Sequence, residues 1–211
     1  MQVAKNYINE GSLQGIILND VTFPNPTTAL FSVKVKERDR EKSEENGNKK
    51  GMYIINCVAF DALAVKMKEA VKGQLIFVRY NLSNSKRVGD DGVVQYFNNR
   101  IVSNVTLGEV LDGSQKLIPY INDGICQGNF VSIMPIPRAE NIYTLTIRVP
   151  SKGVNDKEFT HYINFTVYGK IANSIAKYYN PDDSICIKYQ VETRLAKTGS
   201  VETEYVMTSV I

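Results

Sequence analysis

A single histidine, His161, three scattered cysteines, Cys57, Cys126 and Cys186, and two acidic pairs, Asp90-Asp91 and Asp182-Asp183, are the residues suited to covalent, acid–base or metal chemistry. Their spacing supports none of it. General acid–base catalysis needs a titrating group within reach of the proton it moves, and a lone imidazole offers no such set. No Cys/His spacing suits zinc. The chain has no phosphate-cradling Gly-Lys-Ser/Thr loop and no dinucleotide fingerprint. The aspartate pairs read as solvated turns. The expectation is a protein that is not an enzyme and needs no cofactor or metal.

Cations beside aromatic rings offer a different chemistry. Arg79-Tyr80 and Lys188-Tyr189 repeat one pairing at two places. Lys34, Lys36 and Arg38 share a parity, and Arg148 with Lys152 stands at the matching place further on. Tyr53, Tyr96, Tyr162, Arg100 and Arg194 extend the set. Flat rings accept bases and cations follow a phosphate backbone, which is what unpaired nucleic acid asks of a protein. With 12 Tyr, 8 Phe and no Trp, any stacking falls to Tyr and Phe. The 25 Lys plus Arg exceed the 22 Asp plus Glu by only 3 charges, too few to identify a polyanion partner. What matters is therefore where the charges fall. Alternation limits it, because neighbouring strand residues face opposite sides. If Ile76 and Val78 are core, Tyr80 is core as well and Arg79 lies outside. Any one of these tyrosines also reads as core, and any one cation as plainly solvated.

The elements that must position these residues come in two copies. Residues 7–15, YINEGSLQG, return 113 residues later at 120–128 as YINDGICQG, with six of nine positions identical. The similarity continues in order: 30–35 with 144–149, 55–64 with 163–172, 78–82 with 187–191, and 100–105 with 205–210. Fixed-order self-similarity marks a duplicated structural unit. Within the first unit, 12–19 reads as a strand whose Gly15 marks a bulge, bend or close approach. Residues 21–27, with Pro24 and Pro26, are turn or edge. Residues 28–36 alternate, with Phe31, Val33 and Val35 on one face and Lys34 and Lys36 on the other. The charged run 37–51 is a hairpin tip, 52–60 a third strand, and 61–71 a helix. Residues 75–82 form a fourth strand, 83–92 a polar connection, and 93–107 the last strand. The second unit repeats this with a helix at 170–179 striped by Ile171, Ile175 and Tyr178 or Tyr179. Phe60 and Tyr168, just before each helix, are assigned to the core.

Five short strands with a helix between the third and fourth is the order of the OB-fold, a Greek-key barrel. The chain is thus read as all-β tandem OB-folds: residues 1–111, a linker at 112–119, and residues 120–211. Cys57 and Cys186 fall in apolar runs, where free thiols are commonly buried, and the odd, scattered set of three suits a reducing compartment without a disulfide framework. No run is long enough to span a bilayer, and the N-terminus lacks a secretory pattern, so the expected location is cytoplasmic.

The segment 162–191, YINFTVYGKIANSIAKYYNPDDSICIKYQV, resembles bacterial single-stranded DNA-binding proteins of the SSB type. Tyr168-Gly169-Lys170 and Ala172 fit that family's aromatic-Gly-Lys helix start, and Lys72-Gly73 fits its Lys-Gly turn. Phe60-Asp61-Ala62 departs from the helix start. Gln14-Gly15 and Gln127-Gly128 stand where the family has Gly-Arg, and the family's acidic tail is missing. The resemblance implies sequence-tolerant binding of single-stranded DNA in replication, recombination or repair, with family aromatics mapping to Tyr53, Tyr162, Tyr80 and Tyr189. It implies a homodimer with four barrels, partners among replication or recombination proteins, and no membrane. The departures suit a divergent member, of phage or mobile-element origin, acting in a bacterial cell or infected host. The alternatives are an OB module that serves structure or protein interaction without nucleic acid, and an RNA-binding protein.

Overall fold

The computed structural model describes residues 7–36, 52–88, 92, 94–111, 121–137, 139–152, 158–195 and 201–211. The elements of the first repeat are β1 (Asn9–Ile17), β2 (Thr22–Asn25), β3 (Thr28–Lys36), β4 (Met52–Phe60), α1 (Asp61–Lys66, followed by a 3-10 turn at Met67–Glu69), β5 (Gln74–Val88) and β6 (Val94–Val110). Those of the second are β7 (Asn122–Pro135), β8 (Ile142–Lys152), β9 (Glu158–Tyr168), α2 (Gly169–Tyr178), β10 (Ser184–Leu195) and β11 (Val201–Val210).

Alternation builds both barrels. Ala29, Phe31, Val33 and Val35 of β3 point inward, as do Tyr53, Ile55, Cys57 and Ala59 of β4. Each large apolar side chain buried this way contributes about 1.5–3 kcal/mol. In the first repeat the strands run β1-β5-β6-β4-β3, and β3 returns to β1. In the second they run β7-β10-β11-β9-β8, with β8 against β7. Pairing is antiparallel except where the last strand of each repeat meets the third, at Val58/Ile101 and Thr166/Val206. This is the OB-fold closure, twice over. Ala64 and Met67 plug one barrel, and Ala172 and Ile175 the other.

The first strands of the two barrels pair with each other. β1 and β7 run antiparallel, with Asn9 opposite Cys126, Gly11 opposite Gly124 and Leu13 opposite Asn122. The repeat offset of 113 carries Asn9 onto Asn122 and Leu13 onto Cys126, so this register is symmetric about the Gly11/Gly124 pair. The glycines are required there. A Cβ on Gly11 would collide with the ring of Tyr80, and one on Gly124 with the ring of Tyr189. The asparagines have a matching task. Asn9 exchanges two hydrogen bonds with the Leu82 backbone, at 2.7 and 3.0 Å. Asn122 does the same with Val191, at 2.7 and 2.9 Å.

Several sequence expectations change. β5 does not stop at Leu82 but continues to Val88, paired with β6 throughout, so the polar stretch after Leu82 is largely strand. α1 with its 3-10 turn ends at Glu69 and leaves Val71 exposed. Tyr179 packs on Phe130 with ring centres 6.3 Å apart, whereas Tyr178 faces solvent. Phe60 and Tyr168 are exposed, not core, because β4 and β9 alternate to their ends and the inward places fall to Ala59 and Val167. Gly15 marks a close approach to the Lys34 carbonyl, where β1 passes from β5 to β3. The hairpin tip at 37–51 and the linker at 112–119 lie outside the described residues.

Candidate nucleic-acid interface

The outward faces of β3–β4 and β8–β9 are homologous surfaces. On the first barrel Lys34 lies opposite Ile54, Ser32 opposite Asn56, and Thr28 opposite Phe60. On the second Arg148 lies opposite Tyr162, Thr146 opposite Asn164, and Ile142 opposite Tyr168. The polar pair is kept in both copies: Ser32 donates to Asn56 Oδ1 at 2.7 Å, and Thr146 to Asn164 Oδ1 at 2.9 Å. Directly opposed residues on one face have Cβ atoms about 4.5–5.5 Å apart, so Arg148 and Tyr162 are immediate neighbours. Tyr162 is 48% exposed, Tyr168 44% and Phe60 42%, which leaves ring surface open to a ligand.

The candidate residues divide sharply. Lys34 and Lys36 are half-exposed on the first barrel face, and Arg148 and Tyr162 lie on the second. Arg79 and Lys188 are exposed but elsewhere, flanking the β1–β7 seam. There Arg79 shares a row with Ser12 and Asp123, and Lys188 shares one with Ile125 and Glu10. Arg38 lies outside the described residues, as do the side chains of Tyr96, Lys152 and Arg194.

Tyr53, Tyr80, Tyr189 and Arg100 are corrections: all four are buried. Tyr53 shares the inward parity of Ile55 and Cys57, and Tyr80 that of Ile76 and Val78. Tyr189 occupies the equivalent place beside Ile185 and Ile187 and packs on Phe165 with ring centres 5.3 Å apart. None of the three rings presents a face to a base. The Tyr80 and Tyr189 hydroxyls are buried and adjoin each other at the seam, with no further partner for either. Burial raises both phenols well above their ordinary range.

Arg100 works inside the protein instead. Its Nε donates to the Asn56 carbonyl at 2.5 Å, and its guanidinium sits 5.9 Å from the ring centre of Tyr205, with Nη1 to the hydroxyl at 3.4 Å. Arg100 pairs with Leu82 and Tyr205 with Val191, so the two are equivalent positions in the two repeats. A contact between equivalents lies at the symmetry axis, and here the equivalents are unlike residues.

Two further ties cross between the barrels. Asn84 of β5 donates to the Tyr162 carbonyl at 2.7 Å, and its Oδ1 lies 3.3 Å from His161 Nδ1. The equivalent Thr193 of β10 takes a hydrogen bond from the Ile54 amide at 3.2 Å. Each long ribbon thus docks on the other barrel beside its outward face. His161 also meets Ser151 at 3.0 Å, and burial lowers its pKa. Its role is structural. Burial pushes the Cys57 and Cys126 thiols up to about 12, which keeps both protonated and unreactive at neutral pH. Among the described residues no group of three or more His, Cys, Asp or Glu could hold a metal ion, and no helix is long and apolar enough to cross a membrane.

Sequence reasoning missed Phe60 and Tyr168 as surface rings, although strand parity alone places both outside. It also missed Asn9 and Asn122, whose signal was their place in the best-matched segment of the repeat.

No protein-family model and no curated protein matches the chain. Solved structures do. A deletion mutant of the single-stranded DNA-binding protein from Thermus aquaticus superposes with a TM-score of 0.67 at 13% identity, over 97% of this chain and 94% of that one. The wild-type protein from the same organism gives 0.66 at 14% identity, over 98% and 93%. The likeness of fold thus extends along nearly the whole length of both chains.

Proposed function

We propose that this chain binds single-stranded DNA without sequence preference, as a non-enzymatic protein of replication, recombination or repair. The observation that carries the reading is the duplicated outward face, with exposed rings at Phe60, Tyr162 and Tyr168 on the same faces as Lys34 and Arg148, and Tyr162 directly opposite Arg148. Bases stack on such rings regardless of identity, because every base has a π-face. The cations neutralise backbone phosphates, and Asn56 and Asn164 add polar contacts along the same track. Arg79 and Lys188 flank the seam, each in a row that also carries a carboxylate, Asp123 or Glu10. The likeness to a protein named for binding single-stranded DNA supports the same reading. A homodimer would bring four barrels together.

Titration with labelled oligo-dT of increasing length tests this. For roughly four neutralised phosphates the plot of log K against log salt has a slope of about −3. Tyr162→Ala and Tyr168→Ala each weaken binding by about 1–3 kcal/mol. Affinity that ignores salt, or that survives loss of both rings, would overturn the proposal. Matched RNA oligomers in the same titration decide between the two nucleic acids.

A further inference from the structure

The two outward faces are not equally free. Arg148 Nη2 donates to Asp182 Oδ1 at 2.7 Å, with the two side chains 39% and 72% exposed. The loop bearing Asp182 is anchored on both sides of its peptide: its amide donates to the Phe130 carbonyl at 2.8 Å, and its carbonyl accepts from Asn129 Nδ2 at 2.8 Å. The carboxylate is thus presented to Arg148 from a fixed backbone. The first barrel has the same turn without the carboxylate. Gly73 donates to the Ile17 carbonyl at 2.9 Å, Ile17 is the repeat equivalent of Phe130, and both turn residues have left-handed backbones, φ 83° at Gly73 and 72° at Asp182. No ion pair between described residues holds Lys34, the equivalent of Arg148. A left-handed aspartate alone is no signal, since Asp61 has φ 50° without such a pair. The informative fact is that the carboxylate lands on the cation that borders Tyr162.

Resting on the nucleic-acid reading above, we infer that Asp182 is an internal competitor for Arg148: it occupies the guanidinium in the free protein and is displaced by a DNA phosphate. Any strand entering the second face must break one ion pair to make another. The freed carboxylate then takes a cation from solution, which offsets one cation released from the DNA. The contact adds little net affinity and little salt dependence. Among the described residues the first face has no such competitor, so its cation engages phosphate at full strength but borders Ile54 instead of an aromatic ring. The barrels divide the work, one weighted to charge and the other to stacking.

Titration of the full chain with labelled oligo-dT across a salt series, for wild type and variants, tests the inference. Asp182→Asn keeps a side chain that tolerates left-handed backbone and removes the charge. It tightens binding about two- to fivefold at low salt, the range of an exposed ion pair. Its log–log salt slope is steeper by about 0.7, the value for one added phosphate contact on a single strand. Glu69→Gln, an exposed carboxylate on the first barrel's 3-10 turn, controls for net charge and gives a smaller change. In an Arg148→Ala background the effect of Asp182→Asn falls to that of Glu69→Gln. Thermal unfolding confirms that each variant is folded, and Asp182→Gly, which restores the first barrel's residue, serves if Asp182→Asn is not. Wild-type binding with an unchanged or weaker Asp182→Asn overturns the competitor role alone. No wild-type binding at the lowest salt overturns the nucleic-acid reading and this inference with it.

Discussion

Gly11 and Gly124 let the phenol ends of two tyrosines reach the seam, with no room for a methyl group on either strand. Gly11→Ala must push Tyr80 out of a packed core, and overpacking of this kind costs about 1–3 kcal/mol. Urea unfolding should show a lower midpoint with little change in slope. The tyrosine hydroxyls above those glycines are buried and adjoin each other, with no further partner for either. Replacing both members of a buried polar pair by apolar rings of the same shape is close to neutral or stabilising. The double variant Tyr80→Phe/Tyr189→Phe should therefore unfold at the same or a higher urea concentration. Alkali provides another test. The folded state holds the protons of Cys57, Cys126 and the three core tyrosines more tightly than the unfolded chain does. That stability is present below pH 9, where the unfolded thiols begin to ionise, and is lost as pH rises through 12. Unfolding midpoints measured from pH 8 to 11 should fall steadily above 9.

At the scale of elements, the ribbons formed by β5 with β6 and β10 with β11 hold the barrels together. Asn122 bridges β7 to Val191 with two hydrogen bonds from a buried amide, and Asn122→Ala leaves both backbone groups unmet. The expected cost is about 1–3 kcal/mol per unmet group, read from chemical denaturation. His161, where the β5 ribbon docks, holds its proton less tightly than a free imidazole. Its contribution is present above pH 6.5 and lost as pH falls below that value, and hydrogen exchange at Asn84 should quicken there. β3 and β4 were legible to the residue because one face is apolar and the other wet. The far part of β5 was not, since Ser83, Asn84 and Ser85 carry no apolar period. Their strand is held by β6 and by the neighbouring barrel, and such tertiary context leaves no local mark. The outward cations were readable from alternation, as were Phe60 and Tyr168 had parity been followed to the strand end. Arg100 was unreadable, because its partner Tyr205 stands 105 residues away and only the duplication brings them together.

For the whole molecule, a seam of paired strands, reciprocal ribbons and a buried guanidinium joins the halves. We expect neither repeat to fold autonomously. Residues 1–111 expressed alone should lack a cooperative thermal transition or pair with themselves, whereas co-expression with 120–211 should recover one transition and a one-to-one complex by analytical ultracentrifugation. The Arg100–Tyr205 contact also has a genetic side. An ancestral single-barrel chain would have met its own twin there, arginine on arginine or tyrosine on tyrosine. Once the gene halves had drifted apart, any unequal crossover that regenerated two identical halves would place two guanidiniums or two phenols in a space shaped for one of each. The duplication has become a one-way step, and the halves can no longer stand in for each other.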